Sequence, residues 1–225
     1  MTKKVLVLAA HPDDETLGCG GTINYMYKRG YEIMLITFTD GTGARIDTSA
    51  LVTENRNDRL DKVAKRLGIA HVISGTFPDN RMDTVALLDV VKFIEETMKT
   101  YKFKPNFIFT HHPDCLNVDH STVYKATITA FRPQNINNRQ QIYSYYIPSS
   151  TDYNPLNQFQ GNTYFRLKLQ HMSAKMEVLN QIYPDELRKY PHSRSSRNIE
   201  NLMQVWGSEI GQEYAEKFQL IRSIN

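Results

Sequence analysis

Val5-Leu6-Val7-Leu8-Ala9 is a continuously apolar run rich in β-branched residues, and it stops abruptly at Ala10-His11-Pro12-Asp13-Asp14-Glu15. A strand that is apolar on both faces belongs inside a parallel sheet with helices packed on either side. In such an open sheet the carboxyl ends of the strands border the ligand crevice, so an imidazole and three carboxylates there suit a site better than packing. The run is also compatible with a solvated turn whose aspartate caps the next helix. A second stretch weighs against that plainer reading. Asn106-Phe107-Ile108-Phe109-Thr110 is another apolar strand, and it runs into His111-His112-Pro113-Asp114-Cys115-Leu116-Asn117-Val118-Asp119-His120. Two turns rich in histidine and carboxylate, each following a buried strand, are hard to explain by packing. If the strands are neighbours, one site holds both turns.

The rest of the chain alternates in the same way. Residues 17–29 have helical spacing, with Gly18, Gly20 and Gly21 among them. They lack the Gly-x-Gly-x-x-Gly order of a dinucleotide site, which favours close helix–sheet packing instead. A strand at 33–38 ends in the turn Thr39-Asp40-Gly41-Thr42-Gly43; a helix at 52–67 stops at Gly68; and a short strand at 71–74 precedes a helix at 85–100. A helix is expected at 121–131, a strand at 142–147, and a long polar loop at 148–161 that serves as lid or wall. The last third has helical patterns at 167–183, 198–206 and 214–224. The sequence therefore predicts an α/β fold: a Rossmann-like, open, mainly parallel sheet with helices on both faces. One domain is expected over residues 1–225, with about 148–225 a C-terminal extension forming part of the crevice wall.

Composition limits the partners. At 225 residues and 40% hydrophobic content the chain supports one sizeable core and is short for two. A net charge of +3, from 27 basic and 24 acidic residues without long runs, makes nucleic acid a poor partner. No signal peptide or membrane span is evident, and with only Cys19 and Cys115 a reducing cytoplasm is the expected compartment. The sequence leaves a homo-oligomer open.

The chain resembles the LmbE/PIG-L family of zinc-dependent N-deacetylases, which remove acetyl groups from amino sugars. His11-Pro12-Asp13-Asp14-Glu15 is similar to the first family motif and Asp119-His120 to the end of the second. Gly18-Cys19-Gly20-Gly21-Thr22, Arg56, Leu67-Gly68 and Pro78-Asp79-Asn80-Arg81 follow in family order. Ile147-Pro148-Ser149-Ser150-Thr151, Tyr190-Pro191-His192-Ser193-Arg194-Ser195 and Tyr214-Ala215-Glu216 resemble one branch.

The resemblance implies that His11, Asp14 and His120 bind zinc, though mixed histidine and carboxylate sites accept other divalent metals. It also implies Asp13 as general base, a division from Asp14 that the residues alone do not make. Asp119 would orient a histidine. Cys115 is a poorer ligand candidate, because a thiol-free set is at hand. Many relatives have His-x-Asp-His in the second motif, where this chain has Asn117; an asparagine amide can still donate to an oxyanion. The resemblance places Arg56, Asp79, His192 and Arg194 at the substrate, with His112 or His192 available to compensate for the missing imidazole. The expected activity is hydrolysis of an N-acetyl group on an amino sugar or conjugate. An O-acetyl esterase and a non-catalytic, metal-assisted sugar-binding protein are the alternatives, and an intact Asp13 argues against the latter.

Overall fold

The computed structural model describes residues 2–41, 50–134 and 140–224, and within these the side chains from residue 58 onward in the helix that begins at Ala50. The two apolar runs that end in polar turns are adjacent parallel strands. β1 (Lys4–Ala9) pairs with β4 (Phe107–His111) through Val5↔Phe107, Leu6↔Ile108 and Val7↔Phe109. On its other edge β1 pairs with β2 (Glu32–Thr37), and β2 with β3 (His71–Ser74). β4 is followed by β5 (Gln141–Tyr145), again parallel. The complete order is β3-β2-β1-β4-β5-β7-β6. The chain thus winds outward from β1 to β3 and then returns to β4 on the opposite side. That reversal opens a crevice at the carboxyl ends of β1 and β4, where both polar turns lie.

Alternation along β1 divides the core in two. Val5, Val7 and Ala9 face the layer of α1 (Asp14–Lys28), α2 (Ala50–Leu67), α5 (Leu169–Glu177) and α6 (Ser196–Ser208). Leu6 and Leu8 face α3 (Leu87–Thr100) and α4 (Val118–Ala130). These strand residues are fully buried, which is the physical content of their unbroken hydrophobicity.

α1 differs from its expected start at residue 17. It begins at Asp14 and is broken at Cys19, whose φ of −148° is not helical. The second half starts afresh, and the buried Glu216 carboxylate caps it, accepting from Gly21 N–H at 3.1 Å and Thr22 N–H at 2.7 Å. Lys175 Nζ sits 2.7 Å from the same carboxylate and from the Leu17 carbonyl. Gly18 is needed here because a Cβ would lie 2.3 Å from the Tyr145 ring. The glycines thus serve close packing, as their order suggested.

The expected C-terminal helix at 214–224 is instead a strand, β7 (Tyr214–Ser223). It runs antiparallel between β5 and a further strand, β6 (Thr163–Leu167), which falls between the loop expected to end at 161 and the helix expected to start at 167. The open edge of β5 decides the matter: strand preference follows the neighbours available more than local pattern. Phe218 is buried there against Phe109, Tyr143 and Phe165, with ring centroids 5.1 to 6.4 Å apart. After α5 the chain makes a π turn, Val178–Ile182, and a short 3-10 turn, Pro184–Glu186, which carries it to the crevice.

Candidate metal centre and active site

The β1 turn is built around an unusual backbone. Asp13 has φ 129° and ψ −30°, a conformation that costs a residue with a side chain on the order of 1–3 kcal/mol. Buried Glu15 holds it there by accepting the Asp13 N–H at 3.0 Å, while the Asp13 carbonyl accepts from Thr16 and Leu17. Burial lifts the Glu15 carboxyl to about 7, against its bonds from Thr16 and Asp13. Among the described residues, Asp13, Asn80, Lys102 and Ser149 are the non-glycines with positive φ, and three of these four border one cavity. Strain in this fold is concentrated at the crevice.

Asp14 is the hub. Its Oδ2 lies 3.1 Å from His11 Nδ1, 3.3 Å from His120 Nε2 and 3.5 Å from His111 Nε2. His11 Nε2 in turn meets Asp119 Oδ2 at 3.0 Å and Asp79 Oδ1 at 3.1 Å. Asp119 is anchored by the backbone N–H groups of Asn80 (2.7 Å) and Met82 (2.9 Å). Among the described residues, two groups of side chains have the composition and closeness of a metal site: His11, Asp14 and His120, and His11, Asp79 and Asp119. The first fits a divalent metal well. Ligand atoms around a tetrahedral zinc ion lie roughly 3.3 Å apart, close to the separations at Asp14. In that group each imidazole also has an outer partner, Asp119 on His11 and Cys115 on His120.

The charges fit as well. Burial resists ionisation of Asp14, yet the facing histidines outweigh it and hold its carboxyl well below the usual range. Burial also disfavours a charged His11, but its bonds to Asp119, Asp14 and Asp79 prevail and raise it well above the ordinary imidazole value. His120 rises to about 9, burial being overcome by Asp14. Asp13 goes the other way from Asp14: burial and the Asp14 charge raise it well above the usual carboxylate range, opposed by Arg194.

The cavity, of about 470 Å³, is lined by His11, Asp13, Asp14, Asp79, Asn117, His120 and Arg194 among the expected residues. Arg194 Nη1 lies 3.3 Å from Asp13 Oδ2 and 4.0 Å from Glu186 Oε2. Asn117 is the N-cap of α4: its Oδ1 accepts from Asp119 N–H at 2.8 Å, and one N–H of its amide goes to Asn80 Oδ1 at 3.0 Å. His192 does not line the cavity but holds Arg194, accepting its backbone N–H at 3.0 Å. The structure does not bring His112 to the cavity either. It is 4% exposed, and its ring lies edge-on to Phe159. The Arg56 side chain lies outside the described residues.

Other residues at the site drew no role from the sequence. His111 is fully buried, stacks on His120 at 3.9 Å, and accepts the Ala10 N–H on Nε2 at 2.9 Å. Burial, then the His120 charge, push it well below the ordinary imidazole value, so it is neutral. Its place as the last residue of β4 was the available signal. Ser149, Ser150, Glu186 and Arg188 complete the far wall; the first two lie in the 147–151 stretch that resembles one branch of the family, and no motif marks Glu186 or Arg188.

The geometry agrees with the comparisons. Residues 6–131 match the PIG-L family, described as GlcNAc-PI de-N-acetylase, and the chain belongs to that family. An uncharacterized deacetylase of Escherichia coli, YaiS, is 28% identical over 151 residues, 66% of this chain and 76% of its own. The N,N'-diacetylchitobiose deacetylase of Pyrococcus horikoshii superposes with a TM-score of 0.77 at 20% identity, over 97% of this chain and 84% of its own. The 4-carboxy-2-hydroxymuconate hydratase of Pseudomonas putida also shares the fold, with a TM-score of 0.71 at 16% identity over 100% and 98% of the two chains. The fold alone therefore does not name the reaction.

Proposed function

We propose that this chain is a zinc-dependent deacetylase that hydrolyses the N-acetyl group of an amino sugar or a conjugate of one, with His11, Asp14 and His120 holding the metal. The observation that carries the reading is the pairing, in one cavity, of a two-histidine, one-carboxylate group with a separate buried carboxylate, Asp13, 3.3 Å from an arginine. Bound there, zinc would supply Lewis-acid polarisation of the acetyl carbonyl and a more acidic water. Asp13 takes the proton of the attacking water and delivers it to the departing sugar nitrogen, and its raised pKa suits both transfers. The second N–H of the Asn117 amide and the N-terminus of α4 favour the negative charge that develops on the carbonyl oxygen. Asp119 fixes the ring of His11. Arg194, Arg188 and Asp79 offer a guanidinium fork, a cation and a carboxylate to sugar hydroxyls or to an anionic conjugate.

Among the described residues no helix is long and apolar enough to cross a membrane. Both cysteines are free and buried, which supports the expected reducing cytoplasm. The test is acetate release from a panel of N-acetyl and O-acetyl sugars and sugar nucleotides, with metal-free and zinc-loaded protein. Zinc-dependent acetate with a new primary amine is the expected result. Release from O-acetyl substrates alone would replace the amidase reading with an esterase.

A further inference from the structure

The β4 turn carries a thiol that the mechanism does not use. Cys115 is 6% exposed, and its sulfur is surrounded by three polar groups: His120 Nδ1 at 3.2 Å, Ser150 Oγ at 3.2 Å and Thr151 Oγ1 at 3.0 Å. The other nitrogen of His120 faces Asp14 at 3.3 Å. The sulfur therefore sits behind the ring, on the side away from the ligand group. Thr151 Oγ1 already accepts the Ile147 N–H at 2.9 Å, so its own proton is free for the sulfur. Ser150 lines the cavity directly.

We infer that Cys115 is the positioning residue of His120, its sulfur accepting the Nδ1–H so that Nε2 is presented to the metal, and that it ties this ligand to the Ser150-Thr151 wall of the cavity. The inference rests on the reading of His120 as a metal ligand. A metal-ligating imidazole needs its second nitrogen fixed, and the usual partner is a carboxylate or carbonyl oxygen, as Asp119 is for His11. Among the described residues the atom that faces His120 Nδ1 is the Cys115 sulfur. A polarisable acceptor makes a weaker and longer bond than an oxygen. The two hydroxyls that also reach it fix where that acceptor lies, and a shift of the wall is passed to the ligand through one atom. In this arrangement Cys115 is not itself a ligand, although its residue type invites that assignment.

The test uses the full-length protein and cobalt or zinc alone as probe. Removing the outer partner of a ligand histidine typically lowers metal affinity by about 10- to 100-fold. Cys115→Ala should show that loss in competition with a chromophoric chelator, and Cys115→Ser, which keeps an acceptor, should recover most of it. Cys115→Val fills the space without accepting a bond and carries the same expectation as alanine, so an alanine variant that fails to fold leaves the comparison intact. The cobalt form of the unmutated protein should lack a thiolate-to-cobalt charge-transfer band. Unchanged affinity in the alanine and valine variants, or such a band, would overturn the inference. Failure of the unmutated protein to bind metal, or unaltered binding by His120→Ala, would instead remove the ligand assignment on which it rests.

Discussion

Arg194 Nη1 and Asp13 Oδ2 meet 3.3 Å apart across the crevice, although the two residues are 181 positions apart in sequence. The contact joins the β1 turn to the loop before α6, and it opposes the influences that raise the Asp13 carboxyl, of which burial and the charge of Asp14 are the largest. Substituting Arg194→Met removes the opposing charge while keeping much of the side-chain volume. Asp13 should then hold its proton to higher pH, so the acidic limb of the kcat/KM profile moves upward. A limb that stays in place would show that another group controls it.

Asp13→Ala should lower kcat by about 10²- to 10⁴-fold, the usual range for a general base, while metal stoichiometry is unchanged. Metal content by elemental analysis, beside single-turnover acetate release, distinguishes this from loss of the centre. Asp14→Ala should lose both.

Metal uptake should release protons. His11 and His120 are both held protonated in the metal-free protein, the latter to about 9, and a ligand nitrogen must be bare. Apparent affinity for zinc should therefore rise with pH through the range in which these two imidazoles lose their protons. The metal-free fold has the opposite dependence. Because the folded pKa of His120 lies above the ordinary imidazole value of 6.5, its contribution is complete below about 6.5 and disappears as pH passes about 9. Melting temperatures of chelator-treated protein across that window, with and without His120→Ala, check the sign.

Glu216→Ala should destabilise the fold by about 3–5 kcal/mol, the usual consequence of breaking a buried ion pair by removing one partner. Lys175 would be left buried, and the second half of α1 would lose its cap. Denaturant unfolding measures the loss. Lys175→Met with Glu216→Gln removes both charges and should recover part of it.

The candidate metal site was legible because its signals are local. An unbroken apolar strand reports burial on both faces, and His11, Asp14, Asn117, Asp119 and His120 sit on the turns immediately after two such strands. The fold class followed from the same runs. The far wall was less legible, since Glu186, Arg188 and Ser150 are brought to the cavity by loops whose course depends on tertiary contacts. β7 was misread as helix because its strand state is imposed by the free edge of β5. The role of Asn117 shows a different limit. Its position in the motif suggested an oxyanion donor, and gave no sign that its side-chain oxygen also caps α4 or that one amide N–H goes to Asn80. Nor does position in the sequence separate His111, which reaches the ligand cluster, from His112, which does not.

The strand order β5-β7-β6 has a consequence for how this chain can be recombined. β6 reaches the sheet only through β7, which is the last strand made. A graft of residues 148–213 from a relative would bring its own crevice wall but leave β6 to pair with a foreign tail. Exchange of 148–224 as a block keeps that pairing whole and leaves His11, Asp14, Cys115 and His120 untouched, so specificity in this architecture is portable only together with the final strand.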